Sequence, residues 1–83
     1  MKSGDVVYYV DKDCKFYFDM KFIEIVHIKE FNVDLYKCEI LYNKYKFNDE
    51  SFTPQLELKG KVDIFSKYNI ALSLQEAEAI IEK

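Results

Sequence analysis

From residue 6 to residue 72 the chain is a succession of β-branched and aromatic runs broken by short polar segments, and only residues 73–82 carry a helical period. Strands followed by one helix direct the chain to a mainly β domain closed by a short C-terminal α-helix. The first run, Val6-Val7-Tyr8-Tyr9-Val10, sets Val7 and Tyr9 on one face and Val6, Tyr8 and Val10 on the other. Both faces are apolar, so this strand is either covered twice or lies at an interface. Next, Phe16, Phe18, Met20 and Phe22 share one parity, with Tyr17, Asp19 and Lys21 opposite. After Phe22 the phase is lost, because Ile23 and Ile25 alternate against Val26 and Ile28. A break of this kind predicts a bulge or sharp bend in a small barrel, with a short arm leading into a main strand over 21–29.

Residues 35–42 read as a strand with one wet face, Tyr36, Cys38 and Ile40 opposing Lys37 and Glu39. Asn43 to Gln55 is the most polar stretch and contains the only proline, Pro54, which predicts a long loop pinned by Tyr45, Phe47 and Phe52. Leu56-Glu57-Leu58 and Val62-Asp63-Ile64-Phe65 flank Lys59-Gly60-Lys61, the pattern of a hairpin whose glycine supplies the unusual dihedral. A last short strand falls at 69–72. Ser73 followed by Glu76 is a capping box, and Leu72 is placed to staple against Ala77. Leu74, Ala77, Ile80 and Ile81 make an apolar stripe with Gln75, Glu78 and Glu82 outside it. About ten residues of helix do not hold alone, so this one must dock on the sheet. The fold expected is a small SH3-like, partly open barrel of about five antiparallel strands with a terminal helix, one domain over 1–83.

The 83 residues include seven Tyr and seven Phe, and each ring has roughly 150–250 Å² to bury. A domain this size hides only about 60–65% of its unfolded surface. The rings therefore exceed what one small core shelters, and the surplus predicts a surface that touches a partner or a second copy. The contact residues expected are Tyr8, Tyr17, Tyr36, Tyr42 and Tyr45, with Lys44 and Lys46 beside them. The alternative use of the same set is base stacking, with those lysines, or Lys59 and Lys61, near a phosphate.

Other chemistries are set aside by composition. Every one of the twelve cations is Lys, and the net charge is −3. Without arginine there is no bidentate fork for guanine edges or phosphates, and a mildly acidic domain lacks the field that draws duplex nucleic acid. Cys14 and Cys38 have no CxxC spacing, and His27 is the only histidine. No zinc quartet can be assembled from them, and the cysteines read as two reduced thiols. Asp11, Asp13 and Asp19 lack the glycine and closing glutamate of a calcium loop. His27 has no partner fixed by spacing, although Glu24 or Glu39 could approach it across strands, so no catalytic residue, metal or cofactor is expected. With no apolar leader ahead of the first strand and no span near twenty apolar residues, the expectation is a cytoplasmic protein.

The opening Gly4-Asp5-Val6-Val7-Tyr8-Tyr9-Val10 and the ending Ala71-Leu72-Ser73-Leu74-Gln75-Glu76-Ala77-Glu78 resemble the two ends of small SH3-like proteins of phages and mobile elements in low-GC Gram-positive bacteria. Gln75 stands where Glu is commoner in that group, and the middle, 46–60, is longer. The chain does not resemble peptide-binding SH3 domains proper, having no Trp and no acidic loop after an Ala-Leu-Tyr-type strand. The resemblance implies a short accessory protein that acts by binding. Two functions follow as expectations: a non-catalytic module that docks on a host protein, such as an inhibitor of a defence or regulatory protein, or a sponge holding a nucleotide-type signal between subunits of a homo-oligomer.

Overall fold

The computed structural model of the protein describes residues 1–49, 51 and 53–82. Phe52, expected to pin the long loop, and Glu50 of its polar stretch lie outside the described residues. Five strands, β1 (Val6–Asp11), β2 (Phe16–Ile28), β3 (Val33–Phe47), β4 (Val62–Ser66) and β5 (Ile70–Ala71), precede helix α1 (Leu74–Ile81). They form one antiparallel sheet in the order β4-β3-β2-β1-β5, so the last strand returns to pair with the first and the two ends stay unjoined. The sheet bends enough that Tyr9 of β1 meets Phe65 of β4 across the interior, ring centroids 5.6 Å apart. The architecture is the mainly β, partly open SH3-like arrangement with a short C-terminal helix.

Two cores lie on opposite sides of β1 and β2. Inside the bend, Val7, Phe18, Met20, Phe22, Cys38, Ile40 and Tyr42 are buried together. On the other face, Tyr8, Val10 and Tyr17 pack with Ala71, Ala77 and Ile81 under the helix. The two apolar faces of β1 are thus explained by double coverage. The second core also explains why ring surplus overstates what is left outside. Tyr8, Tyr17, Phe18, Phe22 and Tyr42 are buried, and Tyr9, Phe16, Tyr36, Phe47 and Phe65 are half-buried. Among the described rings only Phe31, Tyr45 and Tyr68 are exposed.

The loss of phase in β2 is a pair of register shifts, between Phe18 and Met20 and between Phe22 and Glu24, within one continuous strand rather than an arm and a strand. The first shift faces Tyr42, whose φ of 52° is left-handed. Such a conformation is costly for a non-glycine residue and persists only when its surroundings hold it. Asp19 supplies the hold: its carboxylate accepts from the Asn43 N–H at 2.7 Å and the Lys44 N–H at 2.9 Å, and it is only 4% exposed. With the bulge pinned, β3 runs on to Phe47, and the first part of the expected loop is strand.

Leu56–Leu58 is a 3₁₀ turn and not the first arm of a hairpin. Gly60, at φ 86°, begins a bulge opposite Ile40: its N–H donates to the Ile40 carbonyl at 2.7 Å, and the Ile40 N–H donates to the Lys61 carbonyl at 2.8 Å. The left-handed glycine therefore sets the entry into β4, which pairs with β3. The helix begins as expected, with the Ser73 hydroxyl accepting from the Glu76 N–H at 3.1 Å. Glu76 reaches back one residue further than a capping box requires, to the Leu72 N–H at 3.3 Å. Leu72 itself is 61% exposed, so the apolar surface it was expected to spend as a staple remains open.

Candidate functional site

β2 and β3 form a long ribbon whose distal half extends past the core. There the register sets Ile25 opposite Tyr36, Val26 opposite Leu35, His27 opposite Asp34 and Ile28 opposite Val33. The strand signal that builds the ribbon is strong, yet the interior thins beyond Phe22: Ile23, Val26, Ile28 and Leu35 are half-buried, while Ile25 and Val33 are exposed. The end of β4 and the 3₁₀ turn Lys67–Asn69 rise beside this ribbon. Ser66 caps that turn, its hydroxyl accepting from the Tyr68 N–H.

Between ribbon and turn lies a groove of about 480 Å³, lined by Ile25, Val33, Leu35 and Tyr36 together with the polar Asn32, Asp34, Ser66 and Lys67 and the ring of Tyr68. Tyr36, Lys67 and Tyr68 also border a second hollow of about 300 Å³ that continues to Ile70, Leu72 and Glu76. Tyr68 is 78% exposed and Ile25 55%. The Lys67 ammonium lies 5.5 Å from the centre of the Tyr68 ring. A half-open channel in which apolar side chains and the Tyr68 ring are interspersed with Asn32, Asp34, Ser66 and Lys67 suits a protein segment with apolar anchors and polar flanks.

The residues expected at a contact surface are split by the structure. Tyr8 and Tyr17 belong to the core under the helix, their rings edge-to-face at 6.1 Å. The Tyr17 hydroxyl donates to Glu78 at 3.1 Å, and burial first, then that hydrogen bond, push its pKa up to about 12. Burial likewise raises Tyr8, with the Asp19 charge adding to the effect. Tyr42 stacks on Phe18 at 4.6 Å inside the barrel, and burial raises its pKa too. These three are corrected to core residues, because the second face of the sheet has a core of its own. Tyr36 is half-buried against Phe22 and lines the groove.

Tyr45, Lys44 and Lys46 are exposed at the far end of β3, where a shallow hollow of about 260 Å³ is lined by Phe16, Phe18, Tyr42 and Phe47. Register places Tyr45 opposite Phe18 and Lys46 opposite Tyr17, so ring and ammonium project from opposite faces of the strand. Lys46 turns to Glu82 of the helix end at 3.7 Å, and Lys59 donates to Asn43 at 3.2 Å. Alternation puts Lys44 on the same side as Lys46, away from the ring. A ring and a cation meant to hold one nucleotide would need to share a face.

His27 finds its carboxylate in Asp34, Nδ1 to Oδ1 at 2.7 Å, rather than in Glu24 or Glu39. Both members are about half exposed, where an ion pair contributes little. Asp11 is the clamp of the first turn, accepting from the N–H groups of Asp13 and Cys14 at 3.0 and 2.8 Å. The two thiols are free, Cys38 buried and Cys14 half-buried. Among the described residues no group of three His, Cys, Asp or Glu is arranged to hold a metal ion, and no helix is long and apolar enough to cross a membrane.

Sequence reasoning passed over Ile25, Val33 and Leu72. The available signal was the loss of phase after Phe22, which marks where one-sided burial thins. Comparison with protein-family models, with characterised proteins and with solved structures finds no match to this chain.

Proposed function

We propose that the protein is a non-catalytic binding module that takes a partner-protein segment with apolar anchors and polar flanks into the groove between the ribbon and residues 66–72. One observation carries the reading: the rings are mostly sheltered by two cores, while Ile25, Tyr68 and Leu72 stay open beside two hollows that share Tyr36, Lys67 and Tyr68. Exposed apolar groups interspersed with polar ones are what a protein contact needs. The resemblance of the two termini supports the setting, a phage- or mobile-element-borne protein acting in the cytoplasm on a host defence or regulatory protein as an inhibitor. It works as a homo-oligomer, with the groove of each copy free.

The test is site-specific photo-crosslinking. Benzoylphenylalanine replaces Tyr68 in one variant and Tyr45 in another, and each is irradiated in lysate of a bacterial host. Adducts to one protein from position 68 and none from position 45 support the reading. Adducts from position 45 alone refute it. Denaturing the purified protein and recording the released small molecules at 260 nm checks nucleotide sequestration: absorbance beyond the Tyr contribution favours the sponge.

A further inference from the structure

We propose that Asp63 guards the outer edge of β4, and that removing its carboxylate lets two copies of the chain join their sheets there. This goes beyond the partner reading and says where native copies do not meet, so a homo-oligomer of the native chain uses another surface. β4 is the end of the sheet, bonded to β3 on one side only. Its core, Val62-Asp63-Ile64-Phe65, is a β-branched and aromatic run interrupted by one charge. Val62 and Ile64, 49% and 45% exposed, stand on the sheet face away from the interior, across the ladder from Glu39 and Lys37. An edge of this composition is a template for a second strand unless something blocks it.

The backbone narrows how a second strand could add. The Ile40 N–H donates to the Lys61 carbonyl, and every second residue from Lys61, Asp63 and then Phe65, turns its backbone groups toward β3. Those of Val62, Ile64 and Ser66 point outward. Only a twofold axis at Ile64 keeps all five residues of each β4 in an antiparallel ladder. An axis moved toward Val62 loses pairs to the bulge and turn at 58–61, where the Lys61 N–H already donates to the Leu58 carbonyl at 3.0 Å. One moved toward Ser66 loses them to the 3₁₀ turn Lys67–Asn69. The Ile64 N–H lies at the centre of what remains.

Asp63 obstructs that centre twice. Its carboxylate accepts from the Ile64 N–H at 2.8 Å, so the donor a second strand needs is taken. Its side chain shares the interior face with Cys38, and pairing about Ile64 would set the charge against Phe65 of the other copy and strip water from it. Lys61 would also approach Lys67 of the other copy at each end, like charge toward like. A short strand, closed by a bulge and carrying an inward charge at its middle, is how natural sheets keep an edge single.

Sedimentation velocity over a broad concentration range compares the native chain with its variants. Asp63→Ala should associate at least tenfold more tightly than the native chain. Asp63→Asn keeps an oxygen at the Ile64 N–H and loses the charge, so it should gain part of that association. Ile64→Pro removes the outward N–H without touching the β3 ladder, and added to Asp63→Ala it should restore native behaviour with unchanged circular dichroism. Ile64→Cys with Asp63→Ala in a Cys14→Ser background should cross-link under diamide, since opposite residues of a hydrogen-bonded pair have Cα atoms about 5.5 Å apart. Native mass at every concentration for Asp63→Ala and Asp63→Asn overturns the guard. Association of Asp63→Ala that survives Ile64→Pro and gives no adduct through position 64 overturns the edge. Equal cross-linking through position 64 with Asp63 in place overturns the guard as well.

Discussion

Replacing Asp19 tests whether the bulge that carries β3 past the barrel is held by one buried carboxylate. In the native state that group receives two backbone N–H donors at 2.7 and 2.9 Å, and Tyr42, beside them, sits at φ 52°. A hydrogen bond to a charged group contributes roughly 1.5–3 kcal/mol, and a buried donor left without an acceptor costs about 1–3 kcal/mol. Two such bonds, less the cost of burying the carboxylate, put Asp19→Ala at about 3 kcal/mol of destabilisation. Asp19→Asn keeps an oxygen in place and loses the charge assistance, which is about half the strength of each bond, so it should cost about 1.5 kcal/mol. For a domain of this length each kcal/mol moves Tm by about 4–8 °C, so the alanine variant should melt roughly 12–24 °C lower. Urea unfolding followed by tyrosine fluorescence and far-ultraviolet circular dichroism gives both values, there being no Trp. The amides of Asn43 and Lys44 should also exchange with solvent much faster in the alanine variant. An Asp19→Ala protein within about 0.5 kcal/mol of wild type, the range of an ordinary surface change, would refute the reasoning.

Three further outcomes follow from the same geometry. Tyr17 has an ordinary pKa of 10.0 when unfolded and about 12 when folded, so its contribution to stability is intact below pH 10 and is lost between 10 and about 12; Tyr17→Phe should flatten that part of the alkaline unfolding curve. Ser73→Ala removes the acceptor for the Glu76 N–H and should cost about 1 kcal/mol, read from the urea midpoint. The Cys38 thiol is fully buried and pushed up to about 11 by that burial, so Ellman's reagent at neutral pH should modify Cys14 in the native protein and Cys38 only on unfolding.

Much of the fold was legible because the decisive signals are local. Ser73 and Glu76 declare the helix start without help from the rest of the chain, and the alternation through Val6–Val10 and Phe16–Phe22 names both faces of two strands. What was not legible depends on long-range pairing. Leu56-Glu57-Leu58 alternates like a strand, yet the bulge at Gly60 places those residues beyond the end of β3's partner edge, where they coil into a 3₁₀ turn. Asn43–Phe47 reads as polar loop, yet a carboxylate 24 residues earlier in the chain, on Asp19, fixes its first amides and lets the strand continue. The candidate surface was half legible. Surplus of rings pointed to a contact, but composition cannot say that a helix creates a second core, which withdraws Tyr8 and Tyr17, or that interior burial thins after Phe22, which releases Ile25.

Quantitative capture of a partner from host lysate by three purified forms, wild type, Tyr45→Ser and the double variant Ile25→Ser with Tyr68→Ser, tests the contact surface most directly. All three positions are exposed, so each form should fold. The account predicts one stoichiometric partner on wild type and Tyr45→Ser, and at least a tenfold loss on the double variant. Full retention by the double variant, or loss by Tyr45→Ser instead, would contradict it.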